Sequence, residues 1–263
     1  MLQPSVFIPH GGGPCFFMDW DPPGTWDSMA LFLQGLMNGL PQRPDGLLVV
    51  SAHWECSEIT ITAAKYPGLI YDYFGFPEHT YQLEWSAPGN PHMAKLISEL
   101  LTRADIPCQL DQDRGLDHGV FIPLKLVVPE ANIPTIQLSL CDTLDPDFHL
   151  LLGEALAPLR EENILIIGSG MSFHNVSALM GRSSGDGSKQ FDDWLVEAVT
   201  SPRNKRNSSL VSWHKAPGGR LSHPREEHLI PLFVAAGAGL EDFGHRTYAD
   251  QVMGAQLSAF QFG

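Results

Sequence analysis

The chain has 263 residues, with 16 lysines and arginines against 30 aspartates and glutamates, so its formal net charge is −14 with histidine neutral. Nucleic-acid backbones are bound by basic surfaces that release counterions, and the longest basic run, Arg203-Asn204-Lys205-Arg206, is short and followed by polar residues. We therefore expect no nucleic-acid partner and a solvated loop at that run. Apolar residues make up 43% and charged residues 17%, which excludes a disordered chain and allows a sizeable core.

Membrane and secretion signals are missing from the sequence. No apolar stretch reaches the ~18–20 residues that cross a bilayer, and the N-terminus has neither a basic region nor a long apolar segment. The cysteines, Cys15, Cys56, Cys108 and Cys141, are too few and too widely spaced for a disulfide scaffold. We expect a cytoplasmic protein with reduced thiols and no membrane partner.

Short apolar segments rich in β-branched residues recur along the chain. They predict strands at Ser5–Ile8, Gly46–Ser51, Ile59–Ala63, Pro134–Ser139 and Asn163–Gly168. The continuous apolar runs Leu47–Val50 and Ile164–Ile167 are typical of parallel strands that helices cover on both faces.

Helical periodicity fills the segments between these strands. Apolar residues three or four positions apart predict helices over Trp26–Leu40, Pro91–Ala104, Val120–Val128, Pro146–Arg160 and Ser188–Thr200. A last helix is predicted from about His223 through Ala238, with Pro224 in its first turn. Polar loops are predicted at Gly181–Ser188 and Ser201–Ser209. The alternation indicates one α/β domain, residues 1–263, with a largely parallel or mixed central sheet flanked by helices.

Histidines follow three of the predicted strands. His10 comes after the first strand, His53 after Leu47–Val50, and His174 after Ile164–Ile167. Ligands of open α/β sheets bind outside the carboxyl ends of the strands. These three side chains are therefore expected to converge at one edge of the sheet.

Two further histidines have informative neighbours. His118 lies in Leu116-Asp117-His118-Gly119, just before a helical pattern, so we place it at a helix entrance. His228 is predicted in the first turns of the last helix, where Glu226 and Glu227 would complement the helix dipole. For His223 we predict a loop or rim position and no role as a ligand.

The composition of this histidine set favours metal chemistry. Imidazole is a common ligand of zinc, iron and copper, and the widely separated cysteines argue against a closed structural zinc site. Three protein ligands with open positions are typical of a catalytic metal. Additional histidines that are not ligands can move protons near neutral pH.

A serine hydrolase is the alternative that two other motifs raise. His10-Gly11-Gly12-Gly13 is similar to a lipase oxyanion loop, and Gly181-Arg182-Ser183-Ser184-Gly185 fits the pattern G-x-S-x-G. A nucleophile elbow follows directly on an apolar strand, however, and the segment before Gly181 is a poor strand. The context therefore disfavours this reading.

Six short blocks, in order along nearly the whole chain, carry a family resemblance. The blocks are Pro9-His10-Gly11-Gly12-Gly13-Pro14, Ser51-Ala52-His53-Trp54-Glu55, Tyr71-Asp72-Tyr73-Phe74-Gly75-Phe76-Pro77, Leu116-Asp117-His118-Gly119, Ser172-Phe173-His174-Asn175 and Glu227-His228-Leu229-Ile230-Pro231-Leu232. The set resembles the signature of class III extradiol ring-cleavage dioxygenases of the 4,5-DOPA dioxygenase type. The triple glycine departs from the usual pattern and should keep the loop flexible, with backbone N–H groups close to a ligand.

The resemblance implies a site built from these histidines. His10, His53 and His228 would hold the metal, usually Fe(II), although several members of this type hold Zn(II). His174 would act as acid and base beside the metal, or as a fourth ligand when zinc is bound. His118 would be the second catalytic histidine. Relatives of the wider fold use a carboxylate as third ligand, which makes Glu227 the alternative at the corner of His228.

The same resemblance implies the reaction and its partners. A catechol and O2 would react to give a muconic semialdehyde-type product, with Tyr71, Phe74 and Phe76 lining an aromatic slot. A divalent cation among neutral imidazoles suits a catecholate anion, and a homodimer is a further family-level expectation. Two other classes stay open at this point: a zinc hydrolase that needs no O2, and a non-catalytic binding protein on the same scaffold.

Overall fold

Eight strands form one sheet in the part of the chain that the structure, a computed structural model, describes: residues 2–181 and 187–263. The strands are β1 Ser5–Pro9, β2 Gly46–Cys56, β3 Ile59–Thr62, β4 Cys108–Asp111, β5 Thr135–Cys141, β6 Ile164–Gly170, β7 Gly244–Val252 and β8 Ala255–Phe262. Their order across the sheet is β4-β3-β5-β2-β6-β1-β8-β7. All five predicted strands are present, and β4, β7 and β8 were not predicted.

The centre of the sheet is parallel and its flanks include antiparallel pairs. Strands β5, β2, β6 and β1 run parallel to one another, whereas β8 is antiparallel to β1 and to β7, and β3 is antiparallel to β5. The sheet is therefore mixed, as the alternation of elements allows. Because the four central strands share a direction, their carboxyl ends lie at one edge, and the site is built there.

Nine α-helices of the described residues cover and connect the strands. The helices are α1 Asp27–Gly35, α2 Pro91–Arg103, α3 His118–Val127, α4 Pro146–Leu156, α5 Val176–Leu179, α6 Ser188–Val199, α7 Arg203–Val211, α8 Gly219–Ser222 and α9 Ile230–Ala238. None of them combines the length and the apolar character that crossing a membrane requires. The predicted helices at Trp26–Leu40 and Pro146–Arg160 each end in a short 3-10 segment.

The loop predicted at Ser201–Ser209 is wrong, because α7 occupies most of it. The cause is Arg206, whose guanidinium is buried and donates hydrogen bonds to the carbonyls of Leu240 and Asp242, at 2.7 Å each. Leu210, one helical turn further on, is also buried. The basic run, which its composition predicts to be a solvated loop, is therefore helical. One of its charged side chains, Arg206, packs against the residues that follow α9.

The last helix begins later than predicted, at Ile230 instead of near Pro224. Glu226 therefore lies outside the helix and pairs with Arg220 at 2.8 and 3.1 Å, so the expectation that it complements a helix dipole is wrong. Every residue of α9 is buried. This helix packs between β6 and α4, and it holds the segment that precedes it, which includes His228, in place.

Two apolar layers lie on the two faces of the sheet, and β2 shows how one strand serves both. Leu48 and Val50 join the layer that contains α2, α4 and α9, whereas Leu47 and Val49 join the layer that contains α1 and α3. All four side chains are fully buried. The continuous apolar run in the sequence follows from this double coverage.

A glycine at the end of β6 allows the segment before α9 to approach the sheet. The backbone N–H of Met171 donates a 2.9 Å hydrogen bond to the carbonyl of His228. A Cβ at Gly170 would collide with that same carbonyl oxygen. Glycine here therefore permits the close approach that places His228 beside the strand ends.

Candidate metal centre and active site

Five histidines from separate elements meet at the carboxyl edge of the central strands. His10 follows β1, His53 lies in β2, His118 opens α3, His174 follows β6 and His228 precedes α9. The ring centroids of His10 and His53 are 4.9 Å apart, those of His53 and His228 4.8 Å, and those of His10 and His228 5.2 Å. The structure thus brings His10, His53 and His174, which the strand-end pattern selects, together with His118 and His228, which were predicted at helix starts.

Three of these side chains form a group that could hold a metal ion. One nitrogen from each of His10, His53 and His228 lies within 4.8 Å of the others. The Nε2 atoms of His10 and His53 face each other at 3.2 Å. Burial, reinforced by the neighbouring histidines, holds the pKa of His10 and His53 well below the ordinary value and lowers the pKa of His228 to about 3. The imidazoles are therefore neutral, the form in which they bind a metal.

The tautomer of His10 follows from one hydroxyl group. Ser169 Oγ donates its hydrogen to the carbonyl of Gly119, so it can only accept at the 3.2 Å contact with His10 Nδ1. His10 therefore carries its proton on Nδ1 and points an Nε2 lone pair at His53 and the centre of the group. Metal-binding histidines in proteins commonly have such an outer partner.

Glu227 is the corresponding partner of His228. Its Oε1 accepts a 2.9 Å hydrogen bond from His228 Nδ1 and lies 3.4 Å from His174 Nδ1. Burial raises the pKa of Glu227, but the hydrogen bonds from the two histidines outweigh it and lower the pKa overall. Glu227 lies outside the first turn of α9, so the expectation that it complements the helix dipole is wrong. Its carboxylate instead accepts the hydrogen of His228 Nδ1.

An ion pair fixes the loop that carries Glu227. Arg225 binds both oxygens of Glu55 at 2.6 and 2.5 Å, and its Nη1 lies 3.4 Å from Glu227 Oε2. Glu55 stands near the end of β2, two residues after His53. The fork geometry of the guanidinium therefore connects the two segments that bear His53 and His228.

Asp72 orients His118, a contact that sequence reasoning did not find. Its Oδ1 accepts hydrogen bonds from the backbone N–H of His118 at 2.9 Å and from the ring Nδ1 at 2.8 Å. Burial raises the pKa of Asp72, but the hydrogen bonds and charge of His118 outweigh it and lower the pKa. The Nδ1 atom of His118 is thereby engaged, which leaves its Nε2 free to exchange a proton, in a ring whose centroid is 3.9 Å from that of His53. The sequence feature that could have indicated this role is the position of Asp72 between Tyr71 and Tyr73.

His174 has a different position from the other four. Its ring stacks on that of His228, with centroids 3.3 Å apart and an interplanar angle of 17°. Its backbone N–H donates to the carbonyl of Ser222 at 2.9 Å. The side chain is 24% exposed, which places it where the site opens. This exposure suits proton exchange with a bound molecule.

A buried network supports His53 from behind. The backbone N–H of His53 donates to Ser51 Oγ at 3.2 Å, and that hydroxyl donates to Asp117 Oδ1 at 2.7 Å. Asp117 also accepts from the Gln137 amide and from Arg114 at 3.3 Å. Burial raises the pKa of Asp117. These residues stabilise the stretch of β2 that carries His53.

A cavity of about 240 Å³ opens over the histidines. Its wall consists of His10, Gly11, Gly12, Gly13, Trp20, Trp26, His53, Phe76, His118, Met171, His174, Val176, Leu179, Met180, His228 and Met253. Phe76 is in this wall, as predicted, but Tyr71 and Phe74 are not. Tyr71 donates its hydroxyl to the carbonyl of Leu83 at 2.6 Å, and Phe74 is 88% exposed.

His223 lies in a loop directly after α8, as predicted, but it is buried, so the predicted rim position is wrong. Its ring lies against Phe191 and Trp213, and its Nε2 is 2.9 Å from the carbonyl oxygen of Ser172, to which it donates. Burial lowers its pKa to about 4. His223 therefore supports the segment after β6 from the core side and faces away from the cavity.

The triple glycine is packed more closely than the sequence suggests. Gly11 and Gly13 have φ values of 83° and 56°, and a Cβ at Gly13 would lie 2.9 Å from the ring of Phe76. The N–H of Gly12 donates to Cys15 Sγ at 3.3 Å and so is not directed at a ligand. Of the G-x-S-x-G pattern, residues 182–185 lie outside the described residues.

An α/β domain with buried neutral imidazoles grouped at its strand ends has the architecture of a metal-dependent enzyme. The family model of the catalytic LigB subunit of aromatic ring-opening dioxygenase matches residues 7–260. The chain therefore belongs to this family of oxygenases.

Individual relatives agree with the family match. The chain is 36% identical to "Dioxygenase tasH" of Hapsidospora irregularis, over 100% of this chain and 86% of the relative. It is 38% identical to "4,5-DOPA dioxygenase extradiol" of Beta vulgaris, over 92% and 88%. The crystal structure of an Escherichia coli K12 protein superposes with a TM-score of 0.79 at 29% identity, over 99% of this chain and 100% of that one. The resemblance to extradiol dioxygenases is thus confirmed.

Proposed function

We propose that residues 1–263 act as one extradiol dioxygenase domain that opens the ring of a catechol with O2 and releases a muconic semialdehyde-type product. The observation that carries this proposal is the group of His10, His53 and His228, three neutral imidazoles in a cavity within a LigB-family fold. We propose these three as the ligands of Fe(II), with Zn(II) as the alternative metal. Family membership does not favour a zinc hydrolase or a binding protein.

Fe(II) held by His10, His53 and His228 would supply Lewis acidity toward the catechol hydroxyls and would bind O2. His174 accepts the proton of a catechol hydroxyl at its Nε2 and later returns one, because Glu227 beside its Nδ1 stabilises the imidazolium form. His118 donates a hydrogen bond to the anion that develops on oxygen, and Asp72 stabilises its protonated ring in the same way. Trp26 and Met171 keep water away from this chemistry, since both are buried in the wall.

The test is anaerobic reconstitution with Fe(II), followed by addition of O2 and a panel of catechols. We expect a yellow ring-fission product and uptake of one O2 per product. The metal content of the sample is measured first, so that an empty site is not mistaken for an inactive one. Absence of both product and O2 uptake with every catechol would overturn the proposal, and turnover of an ester without O2 would support a zinc hydrolase instead.

A further inference from the structure

Apart from its histidines, the described wall of the cavity carries no ionisable side chain. Trp20, Trp26 and Phe76 provide aromatic surface, and Met171 and Met253 provide thioethers. The acidic residues closest to the histidines, Asp72 and Glu227, are not part of this wall, because each is engaged with imidazole nitrogens behind it. The site thus recognises a ligand through its histidines and surrounds the rest with apolar groups.

The mouth of the cavity has the same character as its interior. The cavity wall includes three apolar residues in and next to α5, namely Val176, Leu179 and Met180. Val176 and Met180 are 51% and 54% exposed, so they lie at the mouth. The large apolar side chains among the described residues of the mouth offer no counter-ion to a charged group that enters. A carboxylate or ammonium buried against these described residues would lose its hydration without gaining a partner among them, which is strongly unfavourable.

We infer that the substrate is a catechol whose ring substituent is small, apolar and uncharged, such as a short alkyl group. This inference rests on the proposed function and narrows its substrate class. The volume of about 240 Å³ lies below the ~300–1,000 Å³ typical of sites for drug-sized ligands, which favours a small ring substituent. The flexible methionines adapt their shape to such a substituent and contact aromatic edges favourably.

The inferred substrate of this chain differs from the compound for which several relatives are named. L-DOPA carries an ammonium and a carboxylate on its side chain, and the relative from Beta vulgaris is named for it. In this chain, neither charge would meet an opposite charge among the described lining residues. L-DOPA is therefore expected to be a poor ligand here.

The first experiment compares four catechols that share the ring and differ in the charge of the side chain: 4-ethylcatechol, dopamine, 3,4-dihydroxyphenylacetate and L-DOPA. The Zn(II)-loaded protein is titrated with each under argon, and the emission of the wall residues Trp20 and Trp26 reports binding without turnover. We expect 4-ethylcatechol to bind at least ~10-fold more tightly than the three charged compounds. Equal or tighter binding of any charged compound overturns the inference.

Turnover of the Fe(II)-loaded protein with the same compounds distinguishes the two proposals. Turnover with 4-ethylcatechol as the preferred substrate supports both. Turnover with L-DOPA as the preferred substrate overturns the substrate class and leaves the dioxygenase proposal intact. If no compound is turned over but 4-ethylcatechol binds best, the dioxygenase proposal fails whereas the apolar character of the pocket is supported.

A charge placed at the mouth tests the cause directly. Met180→Arg should improve binding of 3,4-dihydroxyphenylacetate relative to 4-ethylcatechol by ~10-fold, because the carboxylate then gains a partner. Leu151→Arg is the matched control, since Leu151 is 57% exposed on α4, outside the cavity wall. An unchanged ratio in the Met180 variant, with unaltered melting temperature, would contradict the inference.

Discussion

The buried core histidine His149 and the buried histidines at the strand ends differ in what their ring nitrogens bind. His149 lies in the apolar layer of α4 and α9, where its Nδ1–H donates to the carbonyl of Asp145 at 2.7 Å and its Nε2 accepts from the N–H of Cys141 at 3.1 Å. Both nitrogens are satisfied locally. At the strand ends, His10 and His228 also use Nδ1 for an outer partner, but their other nitrogens belong to the group that could hold a metal.

The difference shows that burial alone does not mark a functional histidine. Burial lowers the pKa of His149 to about 4 and that of His228 to about 3, so both rings are neutral at pH 7. His149 connects the start of α4 to the end of β5, and this is a structural task. His228 leaves a lone pair for a metal because Glu227 fixes its proton on the opposite nitrogen.

The largest effect is expected from His228→Ala, which removes one of the three proposed ligands. Metal content should fall to near zero, and activity should fall by more than the ~10–100-fold that loss of an outer-shell partner costs. Metal analysis and O2 uptake measure both. His149→Gln is the matched buried control, and it should retain full metal occupancy. Full metal content in His228→Ala would exclude it as a ligand.

His118→Ala should lower kcat by ~10²–10⁴-fold while the metal stays bound, because a proton donor is lost and no ligand. Steady-state kinetics with the metal-loaded protein, compared with its metal content, check this. If metal and activity are lost together in equal proportion, His118 belongs to the ligand set instead.

Asp72→Asn should lower kcat by ~10–100-fold, since the side chain keeps an acceptor for His118 but no longer stabilises its protonated ring. Asp72→Ala, which also removes the acceptor, should lower kcat further, and metal content measured alongside shows whether the metal site is intact. Loss of metal in proportion to activity would indicate that Asp72 has a purely structural role.

The last prediction concerns the stability of the folded state and the core histidine, His149. The folded state resists protonation of His149 until about pH 4, whereas the unfolded chain binds the proton near pH 6.5. Stability is therefore fully present above pH 6.5 and decreases as the pH falls towards 4, by up to about 3 kcal/mol. Urea unfolding of the parent and of His149→Gln at pH 7 and pH 4.5 measures this, and the variant should show the weaker pH dependence. An equal change in the free energy of unfolding between pH 7 and pH 4.5 in the two proteins would contradict the prediction.

The parallel core of the fold was accessible from the sequence, and the antiparallel edge was not. Strands covered on both faces produce continuous apolar runs such as Leu47–Val50, which stand out against the rest of the chain. Strand β7 carries exposed residues at His245, Arg246 and Thr247, so its composition does not differ from that of a loop. Its pairing with β8 depends on a contact that local propensity does not encode.

Similar limits apply to the site. The histidines could be placed together because strands of one direction end at one edge of the sheet. Their outer partners could not, since Ser169 is distant in sequence from His10, and Asp72 from His118. Such hydrogen bonds are set by the packed chain, and only Glu227, adjacent to His228, was close enough to be considered.

The proposed ligands come from the first strand, the second strand and the segment before the last helix. An ion shared by His10, His53 and His228 would act as a cross-link between the beginning and the end of the chain. Binding that is confined to the folded state stabilises it by mass action, by ~2.7 kcal/mol at a free ion concentration 100 times the Kd. Metal supply would then determine how long the protein survives proteolysis, in addition to whether it is active.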